Sequence, residues 1–198
     1  MKRKITISFL ISQILYICLF PLWSKVTDYL NPFSIFVVWL CFSLAVLWVS
    51  GRVLKTSFIL SPKVLHSILL LYSGLLIVLL FFRPTNQSLQ TINLIPFETI
   101  QLYLSGNGDR FVAFYNLAAN VALFIPFGIY FRLMKKDPRL SHIVIIATLS
   151  ICLIEFIQFL TSRGSLDIDD LILNLLGVVL GYILSPIIGK VFIFRGKH

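Results

Sequence analysis

Apolar residues gather in long blocks along this chain, and polar residues gather between them. Six blocks can be marked, at 5–23, 33–49, 64–82, 111–133, 142–160 and 171–194. None alternates apolar and polar with a period of two, which argues against the strands of a membrane barrel. Each is long enough, or nearly so, to carry a helix across about 30 Å of hydrocarbon at about 1.5 Å per residue. The 33–49 block is the shortest. The pattern predicts an all-α fold, a polytopic bundle of about six transmembrane helices. Lys2-Arg3-Lys4 before the first block suggests a signal peptide. Pro21-Leu22-Trp23-Ser24-Lys25 then follows where a small-x-small cleavage site would lie, so an uncleaved first span is expected.

Composition agrees. Of 198 residues, 58% are apolar and 13% charged, with a mean hydropathy of +0.94. A water-soluble domain carries about twice that charge, and disorder requires few large apolar groups. The net charge of +9 would suggest nucleic acid in a soluble protein. Here the positives lie between the blocks, where they act as topology signals. With the N-terminus inside, 13 of the 17 Lys and Arg fall in inner segments; Lys25, Arg83, Arg110 and Arg163 fall outside. Both termini are thus expected in the cytoplasm. Most acids fall on the outer side, among them Glu98, Asp167, Asp169 and Asp170. Cys18, Cys41 and Cys152 lie inside apolar blocks and read as small buried hydrophobes. The three histidines have no metal-ligand spacing, so no metal and no cofactor is implied. Nor is nucleic acid expected as a partner.

Three segments follow from this layout: an N-terminal three-span part at 1–82, a core at 83–182, and the end of the last span with a basic cytoplasmic tail at 183–198. The outer stretch 83–110 is the only long one. Its helical portion is too short to span, and Pro96 suits a first helical turn. An interfacial helix or a re-entrant cap is expected there.

Polar residues in mid-block carry the chemistry, because such groups are costly in lipid unless paired or wetted. Asn116 and Asn120, four apart, share one helical face, as do Glu155 and Gln158, three apart. Asp167, Asp170, Asn174, Gly177 and Gly181 fall in a stripe about 80° wide if the last helix includes them all. Asp169 falls off that stripe and reads as an N-terminal charge suited to the helix dipole. Gly177-x-x-x-Gly181 lets a neighbouring helix approach closely, and Pro126 is expected to kink the fourth span. Alternating span direction brings all these polar groups to the outer half of the membrane. The sequence therefore predicts an outer-leaflet, water-accessible polar cavity formed by Asn116, Asn120, Glu155, Gln158, Arg163, Asp167, Asp170 and Asn174. Arg163 is a candidate ion-pair partner in it, while Pro126, Gly177 and Gly181 serve packing. Interhelical glue is the plainer role for the amides, worth about 1 kcal/mol each.

The order Asn93-Leu94-Ile95-Pro96-Phe97, Asn116-x-x-x-Asn120-x-x-x-Phe124-x-Pro126-x-Gly128, Glu155-x-x-Gln158 and Arg163-x-x-x-Asp167-x-Asp169-Asp170-x-x-x-Asn174-x-x-Gly177-x-x-x-Gly181 resembles the VanZ family. The resemblance covers about 83–182 and implies a multi-pass protein of the bacterial cell membrane. It further implies a role like that of the founding member, low-level resistance to the glycopeptide antibiotic teicoplanin. On this reading the cavity binds membrane lipid, a cell-wall precursor, a lipid head group or the antibiotic. The alternative is a membrane-embedded enzyme acting on a lipid-linked substrate, with Glu155 and Asp167 or Asp170 as acid and base or as metal ligands. No Ser-His-Asp set, Cys-His set or H-E-x-x-H is present, which favours binding over catalysis. Nothing in the sequence fixes an oligomeric state.

Overall fold

A computed structural model describes residues 2–27, 33–81, 92–105, 110–135 and 138–194. They form eight helices: α1 (Lys2–Cys18), α2 (Phe20–Thr27), α3 (Phe33–Val53), α4 (Pro62–Phe81), α5 (Glu98–Ser105), α6 (Arg110–Met134), α7 (Leu140–Leu160) and α8 (Ile168–Gly189). Four short strands accompany them: β1 (Phe58–Leu60), β2 (Ile92–Asn93), β3 (Leu166–Asp167) and β4 (Phe192–Phe194). The fold is mostly helical, as the block pattern predicts.

Among the described residues, five helices are long and apolar enough to cross a membrane, within α3, α4, α6, α7 and α8. The first block is not among these five; it holds a shorter apolar helix, Thr6–Cys18. Helix α1 ends at Cys18, and α2 begins at Phe20. Pro21 has no N–H for the Ile17 carbonyl and suits the first turn of a new helix, so the block breaks into two shorter pieces. The short 33–49 block, by contrast, continues through Val53 as a full span. The sixth block ends early at Gly189. Its last residues form β4, which pairs in parallel with β1 through Phe58↔Phe192, Ile59↔Ile193 and Leu60↔Phe194.

The chain divides into two compact units, 1–84 with 186–198, and 85–185. In the first, α1 packs on α3 through small and polar groups. Ser8, Ser12 and Ser43 are buried. Trp39 Nε1 donates to Gln13 Oε1 at 2.6 Å, and Gln13 Nε2 donates to Ser12 and Ser43 hydroxyls at 2.9 and 3.2 Å. Every group in this network has a partner, as a polar seam in lipid requires.

The second unit holds α5, α6, α7 and most of α8. Its core includes Phe124 and Phe131 of α6, Ile143, Ala147 and Ile151 of α7, and Leu173 and Val178 of α8. Helices α6 and α8 meet backbone to backbone. A Cβ on Gly177 would collide with the Val121 carbonyl, one on Gly181 with the Ile125 carbonyl, and one on Gly128 with the Val178 carbonyl. Pro126 lies inside α6, which continues past it to Met134. Pro186 inside α8 leaves the Tyr182 carbonyl without its helical donor. Arg132 supplies one, Nη1 to Tyr182 O at 3.0 Å, with its guanidinium 4.5 Å from the Tyr182 ring centre. The Tyr182 hydroxyl then donates to the Pro138 carbonyl at 2.7 Å.

All three cysteines are exposed on the protein surface, against the expectation of burial. Lipid tails are as apolar as a core, so a small hydrophobe inside a span need not face inward.

Candidate functional site

Four segments of the second unit converge where α7 ends and α8 begins. Helix α7 closes with a Schellman turn. Ser162, at φ 54°, donates to the Phe159 carbonyl at 3.1 Å, and Arg163 N–H donates to the Gln158 carbonyl at 2.8 Å. The chain then reverses through Gly164 into β3, which packs on α7 and pairs in parallel with β2. The register is Ile92↔Leu166 and Asn93↔Asp167, which joins the Asn93-Leu94-Ile95-Pro96-Phe97 segment to the acidic segment more than seventy residues later.

Asp167 therefore lies in β3, one residue before α8, and the helical stripe drawn from the sequence does not extend to it. It is buried at 7% exposure with both oxygens in use. Oδ2 accepts from the Thr99 hydroxyl at 2.6 Å. Oδ1 accepts from Asp169 N–H at 2.9 Å and more distantly from Asn93 Nδ2 at 3.5 Å. Asn93 also donates to the Thr99 hydroxyl at 2.9 Å and accepts from Ile95 N–H at 3.0 Å.

Asp169 corrects the sequence reading most sharply. It is fully buried, at 0% exposure, and caps a different helix. Its Oδ1 accepts the Phe97 N–H at 2.6 Å, and its Oδ2 accepts the Ile100 N–H at 3.0 Å. These amides belong to the cap position and the third residue of α5. Phe97 has no side-chain acceptor with which to cap that helix itself, so a carboxylate from α8 takes the role. Phe97 sits at φ 68°, a left-handed conformation that costs a non-glycine residue roughly 1–2 kcal/mol. Pro96 accordingly falls in the turn before α5, not in its first helical turn. Sequence reasoning passed over Asn93, Thr99 and Asp169 as site residues. The available signal was a short helix with no Ser, Thr, Asp or Asn at its cap position, beside a motif with one more aspartate than its stripe required.

Asn120 Nδ2 donates to Asp170 Oδ1 at 2.6 Å, which ties α6 to the first turn of α8. Glu155 completes the group. Ile143, Ala147, Ile151 and Glu155 form one buried stripe on α7 at intervals of four, so this carboxyl occupies a core position. It is 7% exposed, and its Oε1 is buried with no hydrogen-bond partner among the described residues. Among the described residues, the carboxylates of Asp170 and Asp167 act on it.

The other predicted residues surround these groups. Arg163 is exposed and does not pair with Glu155, because the Schellman turn carries it past the end of α7. Gln158 packs against Gly164. Asn174 is buried, Asn116 is half-buried, and neither is hydrogen-bonded to the cluster among the described residues. No group of three or more His, Cys, Asp or Glu side chains among the described residues is arranged to hold a metal ion.

Chemically, the cluster sorts into two parts. Asp167 and Asp169 are acceptors already satisfied by fixed donors, and they hold β2 and α5 in place. Glu155, whose Oε1 has no partner among the described residues, is the part able to meet a further group. Five membrane-length helices among the described residues define a multi-pass α-helical membrane protein. The VanZ/LLP1 family model matches residues 67–189, well over half of the chain, and the chain belongs to that family. Comparison with curated proteins and with solved structures gives no match.

Proposed function

We propose that this VanZ-like protein binds a polar head group in the outer leaflet of a bacterial cell membrane. The ligand would be a cell-wall precursor lipid, a lipid head group or a teicoplanin-type glycopeptide antibiotic, and the consequence low-level resistance to such antibiotics. One observation carries the reading: Glu155 Oε1 is buried inside a span without a partner among the described residues. A buried polar atom left unpaired costs about 1–3 kcal/mol, a cost that a bound donor removes. Intramembrane carboxyls of this kind mark ligand sites more often than scaffolding. Glu155 lies five residues from the end of α7, about 7–8 Å along the helix, within reach of a group entering from the head-group layer.

Acid–base or metal chemistry on a lipid-linked substrate has less support. Asp167, one of the groups it would use, has both oxygens engaged by Thr99, Asn93 and its own neighbour's amide.

Susceptibility to teicoplanin, with vancomycin as control, tests the proposal in a host that the wild-type chain protects. Glu155→Ala and Asp170→Ala are expected to lose the protection while still accumulating in the membrane. Undiminished protection in both variants would remove the cluster from the function.

A further inference from the structure

The binding reading leaves the ligand's chemistry open, and the geometry narrows it. Among the described residues, the Asn120 amide donates to Asp170, the Asn93 amide to Thr99 and Asp167, and the Thr99 hydroxyl to Asp167. Glu155 Oε1 has no donor among the described residues, and the residue is more than nine-tenths buried. Among the described residues, the carboxylates of Asp170 and Asp167 act on it. A donor must therefore come from outside the cluster, and it must not be anionic. A phosphate or sulfate would meet like charge in a medium where charges are poorly screened. A quaternary ammonium would satisfy the field but has no N–H. A hydroxyl would satisfy Oε1 but not the field.

We infer that the cluster recognises a primary ammonium group, as carried by an aminolipid head group, which donates N–H to Glu155 Oε1 within the field of Asp170 and Asp167. The inference rests on the binding reading above and names its ligand class. A charge-assisted hydrogen bond to the buried oxygen gives selectivity over both an N-methylated and an anionic head group.

The purified full chain in detergent tests this by native mass spectrometry and thermal unfolding. The probes are phosphatidylethanolamine, phosphatidylcholine, phosphatidylglycerol and free ethanolamine. Phosphatidylethanolamine is expected to bind about tenfold more tightly than either other lipid, the gain of one charged hydrogen bond. Glu155→Gln and Asp170→Asn, both near-isosteric, are expected to abolish that preference while eluting as the wild type does. Stabilisation by free ethanolamine without a lipid preference would keep the ammonium but assign it to a soluble ligand. Equal binding of the three lipids with no effect of ethanolamine, or a preference that survives Glu155→Gln, would overturn the inference. If the lipids bind alike but Glu155→Ala still removes teicoplanin protection, the ammonium class fails and the binding reading stands. A lipid preference without any effect of Glu155→Ala on protection would keep the ammonium class and separate it from antibiotic resistance.

Discussion

Replacing Asp169 by Ala separates two accounts of a buried acid. As a charge at the start of its own helix, Asp169 would contribute about 0.3–1 kcal/mol, all of it to α8. As the cap of α5, it accepts Phe97 N–H at 2.6 Å and Ile100 N–H at 3.0 Å. Hydrogen bonds to a charged acceptor contribute about 1.5–3 kcal/mol each. Removing the carboxylate also ends the cost of burying it, which offsets part of the loss. A net destabilisation of α5 near 3 kcal/mol is expected, or about 100-fold in its opening equilibrium. Hydrogen exchange read by mass spectrometry on peptides covering 92–105 should therefore accelerate by about two orders of magnitude in Asp169→Ala. Asp169→Asn keeps one acceptor oxygen and should fall between. A change of less than about fivefold in α5, with any effect confined to the start of α8, would refute the cap and restore the dipole account.

Other substitutions probe the same frame. Arg132→Ala orphans the carbonyl freed by Pro186, so it should lower stability by about 1–2 kcal/mol; Pro186→Ala restores a helical donor and should remove much of that cost, measured as non-additivity in detergent unfolding. Gly177→Leu places side-chain atoms on the Val121 carbonyl, which cannot retreat; folded, monodisperse yield should collapse, whereas the same change at Gly74, where a Cβ meets open space, should leave it unchanged. Asn120→Asp puts like charges where a 2.6 Å hydrogen bond now sits, and should destabilise more than Asn120→Ala in the same assay; equal or greater stability of the Asp variant would mean that Asp170 is not the partner in the membrane.

How much of this was legible in the sequence depended on range. Continuous apolar runs mark α4, α6 and α7 almost to the residue, because a helix satisfies its own backbone and needs no partner to be recognised. The break at Leu19 was also local, signalled by Pro21, but the greasiness of the whole run masked it. Strands β1 and β4 lie more than 130 residues apart and are three residues long, so no periodicity could show them. The site divides in the same way. Helical spacing brought out Asn120, Glu155 and Asp170, since each lies on a helix and faces a neighbouring one. It misread Asp167 and Asp169, whose roles depend on β2 and α5. A wheel drawn on one helix cannot show a carboxylate whose partners are the backbone amides of another.

The hydrogen-lined contact between α6 and α8 constrains how this protein can respond to anything it holds. With carbonyls packed against Gly177, Gly181 and Gly128, a slip of one residue, about 1.5 Å, would drive a Cβ-bearing neighbour into a backbone. Those two helices therefore act as a fixed rail, and Asn120 and Asp170 ride on it in constant register. Adjustment to an incoming group must come from the walls that rail does not clamp: the last turns of α7, which carry Glu155, and the short α5, held by the borrowed carboxylates of Asp167 and Asp169.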